Sequence, residues 1–188
     1  MGNVLATVGI KALYYKKLDA SEIAAARTSG AMPTSGFSAV DVYQDSATFK
    51  EGDGSSTSHK SETSTKKIVI KTKGDKQLVF SIMDPSKQER ADFEGGVYTP
   101  AHESTGGSDP ATPATYKEPA AYSPIKMAFI ILPDDGDALH IPLADVLGKI
   151  NTTYAKTGIS LLDVTADPEV PITYTEDQTI PGQNGVGA

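Results

Sequence analysis

The stretch from Lys66 to Met83, KKIVIKTKGDKQLVFSIM, constrains this chain more than any other segment. Successive side chains of a strand point to opposite faces, so a period of two marks a strand with one face dry and one wet. Ile68, Ile70 and Thr72 share one face, and Val69, Lys71 and Lys73 the other. In the second half, Leu78, Phe80 and Ile82 alternate with Val79, Ser81 and Met83. Gly74-Asp75 between the halves tolerates the positive φ of a tight connection. The pattern predicts a long antiparallel hairpin over Lys66–Met83 that turns at Gly74-Asp75. A chain dominated by such a ribbon is β-rich.

At 188 residues the chain is long enough to bury a sizeable core in one domain. Its 17 Gly and 12 Pro, with 5 Phe and no Trp, fit many turns and a modest core and speak against a helix bundle. The absence of Cys excludes a disulfide scaffold, a thiolate zinc site and a cysteine nucleophile. Met1-Gly2-Asn3-Val4-Leu5-Ala6 lacks the charged start and apolar core of a secretion signal. No stretch approaches the roughly 18 apolar residues of a membrane span, so the expectation is a soluble protein without a membrane partner, made and kept in a cytoplasm until assembly.

A net charge of −7 argues against a nucleic-acid binder, because tight binding of DNA depends on cations that displace condensed counterions. Lys60, Lys66, Lys67, Lys71, Lys73 and Lys76 form the basic cluster of the chain. Lysines that alternate along a solvated strand also discourage unwanted edge pairing, which is the reading adopted for them.

Elsewhere the chain alternates strands with turns. Ala20–Arg27 has the composition of a short helix with Asp19 or Ser21 as N-cap, ended by Gly30 and Pro33. Phe37–Tyr43 alternates loosely as a strand. Gly52–Thr65, GDGSSTSHKSETST, holds no large apolar residue and is expected to be a mobile loop. Asp84 to Gly96 carries helix punctuation, with Asp84 as N-cap, Pro85 in the first turn and Gly95 closing. Pro100–Pro124, rich in Pro, Ala, Thr and Gly, is expected to be a second long loop. Lys126–Leu132, Leu139–Val146 and Gly158–Ala166 read as strands, and residues 171–188 as a flexible tail.

Chemistry-bearing motifs do not emerge. His59, His102 and His140 lie far apart, and none has a second ligand at metal-binding spacing. Asp134, Asp135 and Asp137 around Gly136 could hold a hard cation, but an Asp-Gly turn between two strands needs none. No Ser/His pair has the context of an activated nucleophile. The chain does not read as an enzyme, and no cofactor or metal site is expected.

The order of elements, together with the DVYQDSA wording at Asp41–Ala47, the Lys66–Met83 ribbon and the Phe93-Glu94-Gly95-Gly96 ending of the following helix, resembles the major tail proteins of long-tailed bacteriophages. The runs LHIPLADV at Leu139–Val146 and GISLLDV at Gly158–Val164 are similar to that family's closing strands. The resemblance spans roughly residues 37–170 and implies a β-sandwich or rolled β-barrel with a long hairpin and one flanking helix. It further implies subunits that join copies of themselves in rings, hexameric in that family, which stack into a tube through which DNA passes unbound, as part of a virion and with other tail proteins as neighbours. The type VI secretion tube shares the fold. Under this reading the subunit contacts are expected from Gly52, Asp53, Gly54, Ser55, Ser56, Thr57, Ser58 and His59 in the polar tract. Lys71, Thr72, Lys73, Gly74, Asp75 and Lys76 at the hairpin tip are expected to join them. The competing readings are a tail terminator or connector of the same fold, and a carbohydrate-binding or adhesin-like sandwich.

Overall fold

A computed structural model of the protein describes residues 9–60, 62, 65, 67–103, 110–155 and 158–182. Its framework is a mainly antiparallel sheet in the order β2-β1-β9-β10-β11-β6-β3, with β12 beside β10. The strands are β1 (Ile10–Lys17), β2 (Ser38–Val40), β3 (Thr48–Glu51), β6 (Lys76–Met83), β9 (Ile125–Pro133), β10 (Ala138–Thr152), β11 (Ser160–Pro168) and β12 (Thr173–Thr175). Residues 38–43 close this sheet on itself. Val40 pairs with Leu13 of β1, while Val42 bridges Ile82 of β6, Tyr43 N–H donates to Ser81 C=O at 2.7 Å, and Met83 N–H donates to Asp41 C=O at 3.2 Å. The result is a rolled barrel, and closure removes most of the edge that an open sheet would leave.

Alternation decides what fills the barrel. Leu13 and Tyr15 from β1, Met127 and Phe129 from β9, Ile141 and Val146 from β10, Leu162 and Val164 from β11, and Phe80 and Ile82 from β6 share one buried cluster. The reverse face of β1, β9 and the start of β10 carries a second cluster, with Ala128, Ile130, Leu132 and Leu143. Leu143 reaches that side because the β9–β10 ladder shifts register between Ile141 and Ala144, where Pro142 lacks a ladder donor.

Two helices pack on this frame, one more than the single flanking helix that the resemblance implies. Helix α1 (Ala20–Ser29) starts in a capping box, with Asp19 Oδ1 accepting from Ser21 N–H at 2.8 Å and Glu22 N–H at 2.9 Å. Gly30 ends it in the left-handed conformation. Ala26 and Ile23 of α1 lie on the outer cluster, together with Val170 and Ile180 of the C-terminal segment. Helix α2 (Lys87–Phe93) is capped by Ser86, not by Asp84, and is shorter than the sequence suggests. Asp84 sits at φ +49 with its N–H on Ser160 C=O, so the chain turns there before the helix begins.

Helix α2 delivers the plug of the barrel. Phe93 is fully buried, its ring 4.6 Å from that of Tyr15 and 6.1 Å from that of Phe80. The next residue, Glu94, ties three elements together. Its Oε2 accepts from Arg90 Nε at 2.9 Å and from the Tyr116 hydroxyl at 3.1 Å, and its Oε1 accepts from Ile150 N–H at 3.0 Å. Burial, reinforced by the Glu94 carboxylate, pushes the Tyr116 hydroxyl up to about 12.

Three loop expectations are corrected. The tract Pro100–Pro124 contains β8 (Thr115–Lys117), which pairs with β7 (Val97–Thr99), and His102 bridges Thr112; residues 104–109 lie outside the described ones. The tail 171–188 is in part structural, since β12 pairs with Ala138–His140 and Ile172 packs on the barrel core, while 183–188 lie outside the described residues. The third correction, to the polar tract 52–65, concerns the long hairpin.

The expected hairpin over Lys66–Met83 does not form, and a different ribbon takes its place. β5 (Lys67–Thr72) does not fold back on β6; it pairs with β4 (Ser55–Lys60), while β6 pairs with β3 and β11. Glu51 stands opposite Lys76, Gly52 N–H donates to Asp75 C=O at 2.8 Å, and the ladder resumes at Ser55 opposite Thr72. The arms are therefore 48–60 and 67–79, and the supposed loop supplies half of the distal ribbon. Gly74 lacks the positive φ a two-residue turn needs. A Cβ there would overlap the Gly52 carbonyl, so this glycine serves close approach of the two arms.

Replacing Phe93 with Ala should remove about 3–5 kcal/mol of stability in urea unfolding, the usual cost of deleting a buried aromatic ring. His140 lies on the face of the outer cluster, opposite Ile130 of β9 and beside β12, and burial, opposed by Asp177, lowers its pKa. The unfolded chain thus binds a proton at higher pH than the folded one, so this site's stability falls as pH drops below about 6.5. His140→Gln should show a smaller loss of melting temperature between pH 7 and pH 5 than the wild type.

Candidate functional site

The ribbon formed by β4 and β5 is the feature of this molecule without an internal purpose. Six residue pairs, Ser55↔Thr72 to Lys60↔Lys67, carry it to about 30 Å beyond the last barrel pair, Glu51↔Lys76. Every residue of both strands is exposed, and none belongs to either core cluster. Two strands alone are marginal in water, so the ribbon is held by continuity with the β3–β6 ladder at its root. There Lys76 Nζ stands 3.7 Å from Glu51.

The two faces differ in chemistry. Ile68, Ile70 and Thr72 share a face with Ser55, Thr57 and His59; the other presents Val69 among Lys60, Lys67 and Lys71. Ile68 is 64% exposed, Ile70 54% and Val69 45%, where such side chains ordinarily anchor a core. Charge sharpens the contrast. Between residues 55 and 73 the chain holds five Lys against Glu62, a net +4, so the remainder of the −7 chain carries −11. A basic arm projects from an acidic body.

All fourteen candidate contact residues fall on this one feature. Gly52, Asp53 and Gly54 form the interruption on the first arm, and Ser55, Ser56, Thr57, Ser58 and His59 lie in β4. Lys71 and Thr72 end β5, Lys73, Gly74 and Asp75 form the facing interruption, and Lys76 opens β6. Two sets placed on a loop and a hairpin tip are thus opposite strands of one ribbon, with Ser56 across from Lys71. Sequence reasoning missed Ile68 and Ile70, which the alternation assigns to a core. The signal lay in the facing arm, where Ser, Thr and His offer nothing to complete an apolar layer.

Hollows also open elsewhere on the described surface. One of about 300 Å³ lies between Ile23 of α1, Gly95 after α2, Pro119 and Ile125. Another, about 610 Å³, opens at the ribbon root among Lys50, Asp75, Gln77, Asp145 and Asp167. Among the described residues no three His, Asp or Glu gather as metal ligands, and no helix is long and apolar enough to cross a membrane. Asp134, Asp135 and Asp137 occupy the connection between β9 and β10, with Gly136 at φ +105. No known protein family matches this sequence, and no curated protein is similar enough to count as a relative.

Because the ribbon buries no side chain in the body, the double variant Ile68→Thr/Ile70→Thr should shift monomer stability by no more than about 0.5 kcal/mol in urea. A loss comparable to a core truncation would mean that the ribbon packs on its own barrel.

Proposed function

We propose that the protein is a structural subunit that joins copies of itself into rings stacked as the tube of a phage tail, a conduit for DNA within the virion. The observation that carries this reading is the bare ribbon, a long two-stranded arm with three large aliphatic side chains in water and, among the described residues, unpaired backbone along both edges. Natural proteins seldom leave such an arm uncovered, and a heterologous contact with an identical subunit covers it without a second gene product.

The barrel wall supports the same reading. The face of β1 and β9 lies under α1 and the C-terminal segment. Among the described residues, the outward side chains of β10 from Leu147 onward, and of β11, β6 and β3, have no such cover. They run in cross-strand rows such as Leu147–Thr165–Val79–Thr48, with Lys149, Asp163 and Ser81 beside it. A broad, mixed polar and apolar wall suits lateral contact between subunits or the lining of a channel. An acidic body repels a DNA backbone, so a conduit made of it would pass its cargo without gripping it. The reading assigns the chain no catalytic role, no cofactor and no membrane contact.

Deleting residues 54–73 joins Asp53 to Gly74 and leaves a short connection between Glu51 and Lys76. The shortened chain should fold, with a melting temperature close to the wild type, and remain a small particle under conditions where the full chain forms tubes in negative-stain microscopy. Unchanged tubes from the shortened chain, or a full-length chain that stays monomeric with a binding or catalytic activity of its own, would remove the basis for the proposal.

A further inference from the structure

The end of the barrel opposite the ribbon carries the complementary surface. β6 runs from Lys76 at the ribbon root to Met83 at the far end, a rise of about 23 Å. Met83 pairs with Leu161, and beside them lie Ile159 and the β10–β11 connection with Tyr154, which is 96% exposed. Met83 and Ile159 are exposed as well. The same end is acidic. Asp41 is hydrogen-bonded through its backbone to Met83, Asp84 to Ser160, Asp163 accepts from Ser81 Oγ, and Asp45 sits in the turn that follows Tyr43.

Resting on the self-assembly reading above, we infer that the ribbon of one copy docks on this far end of the next, its Ile68–Ile70 face over Met83, Ile159 and Tyr154. Two features select a second copy as occupant. Donor and acceptor patches stand at opposite ends of one body, so the contact repeats without closing on itself and generates a filament axis. The charges also match, a +4 ribbon meeting an end where Asp41, Asp45 and Asp84 surround the Asp163–Lys149 pair. The lysines lie on the reverse face of the ribbon, so they act on those carboxylates at long range and salt screens them. They steer the encounter, while the aliphatic face holds the contact.

Two variants with the same test and opposite defects decide the matter. Ile68→Thr/Ile70→Thr lacks the donor face, and Met83→Thr/Ile159→Thr lacks the acceptor. All four positions are exposed, so circular dichroism and melting should match the wild type. Neither variant should elongate alone, whereas an equimolar mixture retains one good contact per pair and should double the particle mass in light scattering. Wild-type elongation should slow several-fold between 50 and 300 mM NaCl. If the acceptor variant elongates like the wild type while the donor variant fails, the ribbon docks elsewhere and this inference falls while self-assembly stands. A mixture whose mass does not double overturns it equally. A wild-type chain that never associates removes both.

Discussion

One backbone ladder organises the molecule, the pairing of residues 48–60 with 67–79. Its proximal half, β3 against β6, belongs to the barrel wall, where Phe80 and Ile82 are fully buried. Its distal half, β4 against β5, stands in solvent with every side chain exposed. Hydrogen bonding continues across the boundary through Gly52 and Asp75, so the rigid barrel sets the direction of the free arm. The boundary itself needs glycine, because the arms approach too closely for a Cβ at Gly74 or at Gly54, which would press on Thr72 C=O.

The closed barrel is what allows the arm to be free. A sheet with both ends open would compete for partners along its whole rim. Here residues 38–43 pass from β1 to β6 and satisfy that rim, and Phe93 fills the interior from α2. Glu94 then fixes α2 to β8 and β10 through side-chain and backbone donors. Stability is thereby confined to the body. The ribbon, with its Lys, Ser and exposed Ile, is left to interactions outside the chain. That division between a self-sufficient barrel and an unsatisfied arm is the physical content of the proposed tube subunit.

Much of this was legible in the sequence. Period-two alternation located the buried face of β6, and the apolar runs located β9, β10 and β11, because each of these strands lies against a core that selects its residues. Capping chemistry marked the limits of α1, narrowing its start to Asp19 or Ser21, of which Asp19 is the cap, and its end to Gly30. Pairing was less legible. A Gly-Asp step reads as a hairpin turn when the neighbouring tract looks too polar to be a strand, yet Ser55–Lys60 forms a strand because its partner and the barrel supply the order that composition does not. Alternation in Ile68–Thr72 likewise matches a core pattern, although no core lies beneath it. Periodicity reports that one face is apolar; it does not report whether the cover comes from the same chain.

The chain has no cysteine, so introduced thiols report proximity without background. The most direct measurement is oxidation of an equimolar mixture of Ile70→Cys and Ile159→Cys chains, followed by non-reducing electrophoresis and mass spectrometry of the linked peptides. The account predicts a disulfide between residue 70 of one chain and residue 159 of another, and a ladder of multimers when both cysteines share a chain. Linkage confined to like positions, or a persistently monomeric band from the mixture and the double variant, would contradict it.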